Sequence, residues 1–121
     1  MQSGSTSTPL TGPNHDHTRN DLTGKYLFLE GSDLTRYGRS CVVRSPEIDF
    51  GAFDSYCLTF WYSMYGSDVG SIEVSIEFNS FNIELDLLEI NGEQSENGDD
   101  WIQARGRHEN IFAFFVFFAD P

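Results

Sequence analysis

Apolar and polar residues alternate with a period of two along most of this chain. The clearest case is Gly70 to Phe78, where Ile72, Val74, Ile76 and Phe78 alternate with Glu73, Ser75 and Glu77. Strand side chains switch faces at each residue, so this pattern predicts a strand with one buried and one wet face. Lys25 to Glu30 sets Tyr26 and Phe28 against Leu27 and Leu29, and Arg39 to Arg44 groups Cys41 with Val43 against Val42. In Tyr56 to Met64, Leu58, Phe60 and Tyr62 oppose Cys57, Trp61 and Ser63. Asn82 to Ile90 begins with Ile83, Leu85 and Leu87 facing Glu84 and Asp86, and then Leu88 and Ile90 fall on the other face. One extra residue in a strand causes such a slip, which predicts a bulge near Leu87-Leu88-Glu89. Trp101 to Arg107 and Ile111 to Ala119 complete seven strands, and no stretch has a 3.6-residue period.

Turn signals separate these segments: Gly31-Ser32-Asp33, Ser45-Pro46, Gly66-Ser67-Asp68, Asn91-Gly92 and Asn97-Gly98-Asp99-Asp100. Glycine and Asn-Gly tolerate the positive φ of tight reversals. Short strands joined by such turns predict an all-β, antiparallel sandwich or barrel, since parallel pairing needs long crossovers. Met1 to Pro13 is rich in Ser, Thr, Gly and Pro, and by composition reads as a mobile arm (1–13) before the folded part (14–121).

Composition narrows the function. The 121 residues carry 7 Lys and Arg against 19 Asp and Glu, a formal charge of −12, and Lys25 is the single lysine. Such a balance argues against nucleic acid and against an anionic membrane surface, both of which select for basic residues. The longest apolar run, Ile111 to Ala119, has nine residues, whereas a membrane-spanning helix needs about twenty. No apolar leader precedes Pro13, so neither a signal peptide nor membrane insertion by this chain is expected. With 39% hydrophobic and 15% aromatic residues, the chain can still build a core.

Candidate chemistry is sparse. His15-Asp16-His17 are all metal-ligand types, but neighbours on an extended segment point apart, and two histidines share an ion only in a turn. A hydrolase built on these three residues lacks any supporting motif, and His108 falls in a turn-like Arg107-His108-Glu109-Asn110 stretch. There is no Gly-x-Ser-x-Gly elbow and no phosphate-binding glycine loop. Glu73 and Glu77 read as the wet face of a strand. Cys41 and Cys57, sixteen positions apart in apolar contexts, are expected to be buried, as a bridge in an oxidising compartment or as thiols in a reducing one. Trp61, Tyr62, Tyr65 and Trp101 read first as core aromatics, and second as a stacking platform for a sugar ring.

Several motifs together resemble a known family. Gly12-Pro13-Asn14-His15-Asp16-His17-Thr18, then Gly24-Lys25-Tyr26-Leu27-Phe28-Leu29-Glu30, looks like the opening of a MAM domain. Arg44-Ser45-Pro46 is similar to a turn of that family, and Gly92-Glu93-Gln94 with Trp101 to a later element. The segment Cys57-Leu58-Thr59-Phe60-Trp61-Tyr62-Ser63-Met64-Tyr65-Gly66, with Val69-Gly70, closely resembles the family hallmark. Its Cys57, Phe60, Trp61, Tyr62, Met64, Tyr65, Gly66, Gly70 and the later Trp101 are therefore the structural positions of interest.

The resemblance implies a jelly-roll-like β-sandwich of two sheets and no catalytic activity. It implies an extracellular adhesion or protein-interaction module, with protein partners that include other copies of itself, inside a larger membrane or secreted protein. A carbohydrate-binding, lectin-like sandwich is the alternative. It further implies a family strand before Ser3 and another, with a final cysteine, beyond Pro121, so the chain reads as a partial domain whose Cys57 has its family partner outside residues 1–121. No cofactor is implied. Some members hold structural calcium or sodium, and Asp16 is the one matching ligand, too few for an ion that takes six to eight oxygens. The doubly apolar Ile111 to Ala119 segment predicts self-association of the isolated chain.

Overall fold

The computed structural model describes residues 2–3, 12–29, 40–49, 55–78, 83–109 and 114–120. The Gly31-Ser32-Asp33 turn, most of the N-terminal stretch and the start of the Ile111 to Ala119 segment lie outside them. Eight strands are present among the described residues: β1 (Gln2–Ser3), β2 (Lys25–Tyr26), β3 (Cys41–Arg44), β4 (Ser55–Tyr62), β5 (Ser71–Phe78), β6 (Ile83–Asn91), β7 (Ile102–Glu109) and β8 (Phe114–Asp120). These residues contain no helix, and every ladder is antiparallel.

The main layer has the order β3-β8-β5-β6 and the facing layer is β4-β7, with β1-β2 as a short third ladder. From β3 to β8 the chain changes layer at every step except the β5-β6 pair, and β8 inserts between β3 and β5 instead of joining an edge. That interleaving is the mark of a jelly-roll-like sandwich. The expected arm is tied in at its start, where Gln2 and Ser3 pair with Tyr26 and Lys25. Backbone pairing is indifferent to a Ser/Thr-rich composition, so composition does not report this ladder.

β5 lies between β8 and β6, and its expected wet face is only partly wet: Glu73 is exposed, but Ser75 is buried at 2% exposure. Val74 is 1% exposed and Ile76 is buried with it; in register Val74 lies across from Leu88 on one side and Phe117 on the other. Burying such a side chain contributes about 1.5–3 kcal/mol. The slip in β6 lies where the alternation placed it: Val74 pairs with Leu88 and Ser75 with Asp86, so Leu87 is the extra residue. Leu87 and Leu88 are both half-buried as a result. Leu87 reaches the facing layer at Gly106 of β7, where an added Cβ would sit 2.7 Å from its Cγ and Cδ2. The missing side chain at Gly106 is what admits the bulged leucine, and this contact shows the two layers meeting face to face.

In β4 the burial alternates strictly. Tyr56, Leu58, Phe60 and Tyr62 are half-buried, while Ser55, Cys57, Thr59 and Trp61 are exposed. Gln103, Arg105 and Arg107 of β7 are likewise exposed, while Ala104 and Gly106 are buried.

Candidate functional site

Residues 12–29 form a turn-rich segment that docks across β4 and the start of β7. Its anchor is Asp16, 5% exposed, whose Oδ2 accepts the Arg19 N–H at 2.8 Å. Gly24 lies against this carboxylate so closely that a methyl group there would overlap it. Asn14 donates its backbone N–H and its side-chain amide to Asp99, at 2.8–3.0 Å. Trp101 Nε1 donates to the His15 carbonyl at 3.1 Å, and the Tyr26 hydroxyl donates to the Pro13 carbonyl at 3.0 Å. Burial raises the Tyr26 pKa. The His17 ring stacks on Trp61, with centroids 3.7 Å apart and planes within 13°, and meets Trp101 edge-on at 6.4 Å. Tyr26 meets Trp101 edge-on from another direction at 5.6 Å.

A second knot joins the end of β4 to the 92–101 loop. The Met64 carbonyl accepts N–H groups from Gln94 and Ser95 at 2.9 Å, and the Met64 N–H donates to Ser95 Oγ at 3.0 Å. Gly66, at φ +115°, donates to Glu93 Oε1, and Gly92 donates to the Gly70 carbonyl at 2.8 Å. A positive φ of this size is open to glycine and costly for other residues. The hallmark residues Met64, Gly66 and Gly70 therefore hold the later Gly92-Glu93-Gln94 element in place. Tyr65 is half-buried beside Gly98, whose added Cβ would lie 3.5 Å from its ring. Phe60 and Tyr62 lean together on the inward side with centroids 6.1 Å apart.

Several expectations are corrected. Trp61 is no core residue: it sits on the outward face of β4, 41% exposed, and is covered by a histidine from a distant segment. Cys57 shares that outward face, and Cys41 starts the edge strand β3. Both thiols are therefore free and exposed, not buried. His108 lies within β7, opposite Tyr56, and not in a turn. The turn at 17–19 does bring His15 and His17 onto one segment. Nevertheless, no group of three or more His, Cys, Asp or Glu converges among the described residues. Asp16 Oδ1 is buried without a hydrogen-bond partner, as one ligand of a cation would be. The described residues supply that single carboxylate and do not fit a calcium site. Sequence reasoning passed over Arg105 and Arg107, although their alternation with Ala104 and Gly106 marks them as outward-facing.

The fold and the two knots define a small β-sandwich in which the motif residues Asp16, Met64, Gly66 and Gly70 fasten loops. The chain belongs to the MAM domain family (meprin/A5/mu), whose model matches residues 2–117. It is 35% identical over 115 residues to MAM domain-containing protein 2 of Mus musculus, covering 90% of this chain and 16% of that protein. It is 33% identical over 96 residues to neuropilin-1 of Xenopus laevis, covering 78% of this chain and 10% of that one. Thyroid hormone-induced protein B of Xenopus laevis is 32% identical over 108 residues, which cover 88% of this chain and 15% of that protein. The chain thus spans less than a fifth of these relatives' lengths. Among the described residues, no helix is long and apolar enough to cross a membrane.

Proposed function

We propose that this chain is a non-catalytic, extracellular protein-interaction and adhesion module of a larger membrane or secreted protein. Family membership supports the class of function, and the small share of each relative that it spans suits one domain among several. The observation that carries the reading is the outward face of β4-β7. Thr59, Trp61, Gln103 and Arg105 lie exposed there on a rigid ladder, with an aromatic anchor and an arginine, the residue types enriched at protein interfaces.

The lectin alternative is weaker on the same geometry. A pyranose stacks on an open aromatic face, and one face of Trp61 is already taken by the His17 imidazole. Trp101 has its N–H bonded and its ring packed against Tyr26.

The reading is tested with the chain tetramerised and fluorescently labelled, and added to intact cells that bind it. Trypsin treatment of the cells should remove the binding, and broad glycosidase treatment should leave it. Binding that survives trypsin and vanishes with glycosidases favours the lectin and overturns the proposal.

A further inference from the structure

The described residues hold two Asn-Gly steps, Asn91-Gly92 and Asn97-Gly98, and both asparagines are exposed. Such a step is prone to lose ammonia, because glycine has no Cβ to hinder attack by its nitrogen on the preceding side-chain amide. The fold treats the two steps differently. Asn91 ends β6 in register with Ser71, and its Nδ2 donates to Glu89 Oε1 at 2.8 Å. The Gly92 N–H donates to the Gly70 carbonyl at 2.8 Å, so the nitrogen that would attack is already tied down.

At Asn97 that restraint is missing. Among the described residues, no acceptor meets the Gly98 N–H. The Asn97 side chain folds forward along the chain: its Oδ1 accepts the Asp99 N–H at 3.0 Å, and its Nδ2 donates to Asp100 Oδ1 at 2.9 Å. The first bond polarises the amide carbonyl and stabilises the charge that gathers on Oδ1 during attack. The second puts a carboxylate beside the nitrogen that must gain a proton in order to leave.

We propose that Asn97 is a deamidation site with water as co-reactant, and that its conversion undoes the Asn14–Asp99 clasp. The Gly98 nitrogen bonds to Asn97 Cγ, and its proton departs with Nδ2 as ammonia, closing a cyclic succinimide. One water opens the ring, at Cγ to give aspartate or at the main-chain carbonyl carbon to give isoaspartate. Both products lose the NH2 group that donates to Asp100 and gain a carboxylate. In the aspartate, two like charges then face each other across a former hydrogen bond. In the isoaspartate, the main-chain carbonyl that accepts the Asp100 N–H at 3.2 Å becomes a free carboxylate, and the backbone gains a methylene. Either change loosens the turn that carries Asp99, the partner of Asn14. Asn14 lies just before the imidazole that covers Trp61, so conversion at Asn97 uncovers the indole of the outward β4-β7 face.

The full chain is incubated in mildly alkaline buffer at body temperature, folded or in urea. It is then digested after Glu93 and Glu96, which separates the two steps, and read by peptide mass spectrometry with enzymatic isoaspartyl methylation. In the folded chain Asn97 should convert severalfold faster than Asn91, and in urea the two rates should converge. Gly98→Ala should slow conversion at Asn97 severalfold, and its Cβ has room, with nearest neighbours at 3.5 Å. Should that variant fold poorly, the folded and urea samples of the parent decide alone. Aged chain and Asn97→Asp should both show stronger iodide quenching of Trp fluorescence than fresh parent. Equal rates in the folded chain, the same preference in urea, or a folded Gly98→Ala variant that reacts like the parent each overturn the site. Unchanged quenching after conversion overturns its effect on the clasp.

Discussion

Gly24→Ala should be among the most damaging small substitutions in this domain. Its methyl would overlap the buried Asp16 carboxylate, which the turn at 17–19 holds by the Arg19 N–H at 2.8 Å. Relief requires Asp16 to swing away, losing a charged hydrogen bond of about 1.5–3 kcal/mol, or the backbone to shift at an overpacking cost of about 1–3 kcal/mol. Only part of each applies at once, so about 3 kcal/mol is expected. For a domain of this size that lowers Tm by roughly 12 °C. Urea denaturation followed by Trp fluorescence measures it, and the cycle with Asp16→Ala isolates the cause. With the carboxylate gone the methyl has room, so the double variant should be at least about 1.5 kcal/mol better than additive. A Gly24→Ala variant within about 0.5 kcal/mol of the parent, or strict additivity, would refute the packing argument.

Other outcomes follow from the same contacts. Ser95→Ala should cost about 2 kcal/mol, because it leaves the Met64 N–H buried without its acceptor; urea denaturation midpoints unchanged from the parent would contradict this. The Asp21 carboxyl is held below its ordinary value mainly by the Thr23 hydroxyl, then by the Thr23 N–H, with lesser help from the Gly24 N–H and Arg19. A lowered folded pKa contributes stability above the unfolded value of about 4, which is lost as pH falls through the lowered one. Thr23→Val should therefore move the Asp21 titration upward in a carboxyl NMR experiment, and an unmoved curve would dismiss that cause. His17→Ala should uncover Trp61 and raise iodide quenching of its fluorescence while far-UV dichroism stays the same. Unchanged quenching would mean that the stack does not shield the indole.

How far the sequence reveals the fold depends on the range of the determining contact. The β5 alternation and the Leu87 slip are local, and each is legible from neighbouring residues. β4 is harder, because Cys57 and Trp61 make its wet face look as apolar as its buried one, so parity could not say which side faces the core. The His17 stack and the Gly106 niche decide that question, and both join residues far apart in sequence. The insertion of β8 between β3 and β5 is equally invisible to a local pattern. The motif resemblance identified the positions of the knots at Met64 and Asp16 but not their bonds. Arg105 belongs to no motif, and only the strand period that alternates it with Ala104 and Gly106 marks it as exposed.

The span of the Trp101–His15 bond, 86 positions, has a consequence for biosynthesis. At roughly 5–20 residues per second, the ribosome delivers the early segment roughly 4–17 s before the indole that clasps it. Throughout that interval the 12–29 segment lacks this clasp. Strands that wait for distant partners fold late and stay exposed to wrong ones, so nascent chains of this module should depend on chaperones until β7 and β8 emerge.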